Sequence, residues 1–202
     1  MAGIIFAVLL GTSLVLIRST VPADLDDISS WQPISADRQR LLVALHLVPF
    51  AGIAFLWFLG VVRDRIGDAE DRFIATVFLG SGLLLIAMLF VSTAVAGSIL
   101  VSGETASPDG ATWAMGRHLS SSILTVYAMR MAGVFMISTA TISLRTAVMP
   151  RWLAGLGYLL AAFLLFSVGS LKWAELLFPA WVLVVSIYLL IAVHRVDEAA
   201  RP

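Results

Sequence analysis

Arg130 lies midway between Arg117 and Arg145, inside a long apolar stretch, and is the residue of this chain most in need of a chemical explanation. A guanidinium stays charged and presents its donors in a rigid fork suited to a carboxylate or a phosphate. At the centre of a membrane helix an arginine costs about 2.5–3.5 kcal/mol on insertion scales. A carboxylate, a set of carbonyls, water or an anionic ligand must therefore meet it. On a regular helix Tyr127 and Gly133 share its face, the first offering a hydroxyl and the second leaving room for an approaching group. No Asp or Glu occurs inside an apolar run of this chain. Glu175 is the nearest acid by expected depth, although a Lys172–Glu175 pair one turn apart would already occupy it.

Two histidines carry the alternative chemistry. His46 falls inside the second apolar run, three residues before Pro49. That proline cannot donate to the carbonyl of Leu45, so a bend there would free an acceptor beside His46. His118, with Met115 nearby, begins the fourth run on the same side of the membrane. Histidines on two helices are the donor set of a bis-histidine haem, or of a copper site completed by Met115. The simpler expectation is no cofactor and no metal, with His118 an interfacial residue beside Arg117. The chain has no cysteine, which excludes thiolate catalysis, iron–sulfur clusters and cysteine–zinc sites. It also lacks the motifs of serine hydrolases, zinc proteases and phosphate loops. Binding is therefore expected rather than catalysis.

The elements that must position these residues follow from hydropathy. Apolar runs cover about 2–17, 41–62, 73–101, 120–144, 152–171 and 176–193. A hydrocarbon core of about 30 Å takes roughly 20 residues of helix, so each run approaches or exceeds a span. Hydrophobic residues make up 60% of the chain and charged ones 13%, against roughly 45–50% and 25% in soluble domains. The expected fold is all-α: a single transmembrane domain, residues 1–202, forming a bundle of six transmembrane helices. The first run has no basic residue ahead of it and no small-x-small cleavage site behind it, so it reads as a retained span. The zero formal net charge gives no footing for nucleic acid.

Six spans place both termini on one side. With the termini inside, seven basic residues (Arg63, Arg65, Arg72, Arg145, Arg151, Arg195, Arg201) face the cytoplasm and five (Arg18, Arg38, Arg40, Arg117, Lys172) face out. The bias favours cytoplasmic termini. The inner breaks at 63–72 and 145–151 are short connectors, the second with Pro150 where a helix start tolerates it. The outer breaks at 18–40 and 102–117 are longer and hold Asp24, Asp26, Asp27, Glu104 and Asp109, enough for an outer cap. Small-xxx-small pairs at Ala128/Ala132 and Gly157/Ala161 permit close helix contact. The third run is long enough to require tilt or emergence into water.

The segment 63–72 with 73–80, and the segment 149–158 (Met-Pro-Arg-Trp-Leu-Ala-Gly-Leu-Gly-Tyr), resemble a broad group of uncharacterised bacterial multi-pass membrane proteins. The resemblance implies a bacterial inner-membrane location and brings no functional residues with it. The expected function is a lipid- or amphiphile-binding membrane protein, or an accessory subunit of a membrane complex. Its ligand would lie between the second and fourth helices at Arg130, Tyr127 and His46. The alternative is a haem electron carrier using His46 and His118. The expected partners are membrane lipids, other subunits or a second copy.

Overall fold

The computed structural model describes residues 1–20, 35–66, 72–105, 110–146, 149–166 and 173–199. Among them there is no strand. The helices are α1 (Ala2–Thr20), α2 (Ser35–Ile66), α3 (Arg72–Thr105), α4 (Gly110–Ser122), a π-helical segment (Ile123–Ala128), α5 (Met129–Thr146), α6 (Arg151–Phe166) and α7 (Leu177–Ala199). One 3₁₀ turn, Ala174–Leu176, precedes α7. The α4, π and α5 segments run on without a break as one span. Five helices are long and apolar enough to cross a membrane, while α6 is a shorter apolar helix of 16 residues.

Helix ends differ from the apolar boundaries for a physical reason. Hydropathy reports the hydrocarbon, whereas a helix stops only where its backbone bonding stops. So α2 begins six residues before Leu41, and α4 begins at Gly110, ten before Ser120. Trp113 and Arg117 therefore sit on helix rather than in the expected loop. At 34 residues, α3 is roughly 51 Å long at helical rise and must emerge from the core. Pro49 lies inside α2, which continues through it. Residues 21–34 and 106–109 of the expected outer cap, residues 67–71 of the 63–72 connector, and Lys172 fall outside the described residues.

The interior is built on packing, because lipid tails give helices no hydrophobic reason to associate. Phe6 of α1, Phe55 of α2, Phe135 of α5 and Phe178 of α7 are fully buried and meet at one place. Their ring centroids lie 4.6 Å (Phe6–Phe55), 5.2 Å (Phe55–Phe135) and 5.8 Å (Phe6–Phe178) apart, within the range of favourable aromatic pairs. Phe78 brings in α3 at 5.0 Å from Phe135. Five helices thus share one aromatic centre.

The small residues on α6 pack as their spacing predicts. A Cβ on Gly133 would stand 3.0 Å from Leu165 and 3.2 Å from the Ala161 carbonyl. A Cβ on Gly157 would stand 3.4 Å from that of Ala140. The antiparallel α5–α6 pair is closed by a hydrogen bond of 2.7 Å between Thr141 Oγ1 and Tyr158 Oη.

Candidate ligand cavity

At the end of the bundle where α1 stops and α2 starts, the packing opens into a cavity of about 280 Å³. The lower wall is apolar: Leu10 and Leu14 of α1, Val48 of α2, Leu89 of α3 and Leu124 of the π segment. Nearer the helix ends the lining turns polar, with Arg18, Arg117, His118, Trp113 and Glu175. Leu10 lies about two helical turns below Arg18 on the same helix. The cavity therefore has an apolar floor and a charged mouth.

The charge at the mouth is organised around one pair. Arg18 Nε and Nη2 donate to the two carboxylate oxygens of Glu175, at 3.2 and 2.5 Å. The Glu175 side chain is 6% exposed and that of Arg18 34%. A carboxylate this deep requires a partner whose donors match both oxygens, and a bidentate guanidinium supplies that. The pair also joins the last turn of α1 to the turn that precedes α7.

Hydroxyls in the cavity wall mostly serve the helices. Ser13 Oγ donates to the Ala44 carbonyl at 2.7 Å, tying α1 to α2. Ser92 and Ser120 each donate to the other's carbonyl at 2.9 Å, a reciprocal clasp between α3 and α4. Thr93 and Thr125 bond back to Leu89 and Ser121 at 2.9 Å. These donors hold the walls together.

The π segment shapes the fourth wall. The N–H of Met129 donates to the carbonyl of Leu124, five residues back. A π turn inserts extra backbone and re-phases the helix after it, which is why such bulges recur at functional sites. Leu124 and Thr125, within it, face the cavity.

The residues expected to form the site are placed otherwise. Arg130 follows the π segment, is half-buried, and does not line the cavity. Tyr127 is 58% exposed and also outside it. The shared face of Tyr127, Arg130 and Gly133 assumed a regular helix, whereas Tyr127 belongs to the π segment, which ends at Ala128. Gly133 admits α6 rather than a ligand. His46 is exposed, and its Nδ1 donates to the Leu42 carbonyl at 2.6 Å, one turn back on its own helix. Of the two histidines of the haem alternative, His118 lines the cavity and His46 does not. Among the described residues no three His, Asp or Glu side chains cluster as metal ligands.

Glu175 is held by Arg18, so it is not the counter-ion of Arg130. Ion pairs among the described residues also join Arg40 to Asp37. The Arg18–Glu175 pair had a faint signature in the sequence: both residues mark the same side of the first and last spans. Nothing in one sequence says that those two spans are neighbours. Comparison with known proteins gives no matching family model, no matching curated protein and no matching solved structure.

Proposed function

We propose that this chain is an inner-membrane protein of bacteria that holds a small amphipathic ligand in the cavity between its first four spans. It acts as a binding protein or as the ligand-carrying subunit of a larger membrane assembly. The cavity itself carries the reading, with its apolar floor, charged mouth and position at one end of the bundle. The cavity measures about 280 Å³. This is the small end of ligand pockets, which run from about 300 to 1,000 Å³. A single short chain or one ring system fits, and a two-chain phospholipid does not. With cytoplasmic termini, the mouth opens on the outer face.

Native mass spectrometry of protein extracted in mild detergent tests this reading. The expected result is a bound small amphiphile that Ala114→Trp, which fills the cavity from α4, displaces. Unchanged retention in Ala114→Trp would place the ligand elsewhere.

A second reading rests on Arg130, which is half-buried in the fourth span and has no ion-pair partner among the described residues. An acidic side chain from another subunit or a second copy would satisfy it. Arg130→Leu should then release a co-purifying chain in mild detergent while leaving the cavity ligand in place.

A further inference from the structure

We infer that Arg130 holds the phosphate of a membrane phospholipid whose chains lie along α6, at the end of the bundle that bears the cavity. The site is separate from the cavity and does not depend on the cavity reading. The first support is depth. Gly133, about one turn from Arg130, packs against Ala161 and Leu165, so Arg130 stands level with the last turn of α6, which ends at Phe166. Phe135 meets Phe178 with ring centroids 6.1 Å apart. Arg130 and Trp173 each lie roughly 8 Å beyond that contact toward the cavity end. Trp173 is half exposed there, as befits a tryptophan at the hydrocarbon boundary. From the other side, about 22 Å of regular helix separates Arg145 from Arg130. Arg130 therefore falls roughly 8 Å short of the far boundary of a core of about 30 Å. Helical side chains lean toward the helix N-terminus, which for α5 is the cavity end, and a snorkelling arginine stem crosses that gap.

The second support is what surrounds the guanidinium. Arg130 is half-buried and has no ion pair or hydrogen bond among the described residues. Leu159 and Phe166 are exposed on one face of α6, an apolar track that runs inward from the level of Arg130. A protein acid would have to be carried into hydrocarbon to reach this depth. A phospholipid brings its phosphate to the boundary with its chains already beneath it. The fork of a guanidinium meets two phosphate oxygens at once, which a point charge does not. Cation, depth and apolar track together match a headgroup with its chains attached.

The test uses the full-length protein in dodecyl maltoside, a detergent without phosphate. Two photoreactive probes with identical diazirine-bearing chains are compared, phosphatidylglycerol and diacylglycerol, and labelled peptides are read by mass spectrometry. Phosphatidylglycerol should label the α6 peptide containing Leu159 and Phe166 at a concentration about fivefold below that of diacylglycerol. Arg130→Gln should raise the phosphatidylglycerol half-labelling concentration about fivefold and leave that of diacylglycerol unchanged, while Arg130→Lys keeps most of the preference. Labelling of the α2 peptide containing the exposed Phe50 and Trp57 should respond to neither variant. Ala114→Trp, which fills the cavity, should leave α6 labelling unchanged, so failure of the cavity reading does not touch this one. Equal labelling of α6 by the two probes in the wild-type protein overturns the inference without recourse to a variant. An unchanged preference in Arg130→Gln overturns it too. Displacement of phosphatidylglycerol by inorganic phosphate assigns a free anion to Arg130 and overturns the lipid. A chain that Arg130→Gln releases while lipid labelling stays the same assigns a protein acid instead and also overturns it.

Discussion

The Arg18–Glu175 pair shows how a bundle keeps an acid near its hydrocarbon edge. Removing one member of a buried pair leaves the other charged and unsatisfied, which costs more than removing both. Arg18 is one-third exposed, so water recovers part of that loss. Arg18→Ala should therefore destabilise the protein by on the order of 2 kcal/mol, and Arg18→Gln combined with Glu175→Gln should restore most of it. Thermal unfolding in detergent, compared across the single and double variants, checks this. Arg130 was the most conspicuous residue in the sequence because its cost is evident from hydropathy alone. Its surroundings were not evident, since they depend on neighbouring helices and on the phase of its own. The residues at the cavity mouth were inconspicuous for the opposite reason: Arg18, Arg117 and Glu175 all lie at the ends of apolar runs, where charge is ordinary.

At the scale of elements, the α3–α4 contact and the α5–α6 contact use two different devices. The first is polar. Coupling between Ser92 and Ser120 should be about 0.6 kcal/mol and no more than about 1.7, the range for such bonds in membranes; a double-mutant cycle with Ser92→Ala and Ser120→Ala measures it. The second device is close approach. Gly133→Leu must displace Leu165 and the Ala161 backbone, so a loss of about 1–3 kcal/mol is expected from overpacking. Gly155→Leu, at a position with open space around it, serves as the control and should change stability little. The small-residue spacing on α6 was legible beforehand because it depends only on 3.6-residue periodicity. The π turn was not, since no residue type demands it; it arises where two stretches of one helix must each meet a different set of neighbours.

For the whole molecule, the proposed topology puts both termini in the cytoplasm and the cavity mouth on the outer face. The chain has no cysteine, so any introduced thiol is the sole one. Trp173→Cys marks the end that bears the cavity, where Trp173 is half exposed just before α7. Arg151→Cys marks the opposite end at the exposed start of α6. A membrane-impermeant maleimide applied to intact spheroplasts should label the first and reach the second only after permeabilisation. The reverse pattern would invert the proposed topology and turn the cavity mouth inward.

By itself the sequence determined the solvent, the helical class, the places where spans occur and the energetic oddity of Arg130, because each depends on the local density or period of apolar residues. Tertiary structure alone decided that Arg18 meets Glu175, that the helix carrying His118 reaches back past Arg117 and Trp113, and that a cavity opens between the first four spans. Those features depend on which helices are neighbours and how each is rotated. Lipid-facing and protein-facing surfaces are both apolar here, so hydropathy leaves that rotation undetermined and only side-chain packing fixes it.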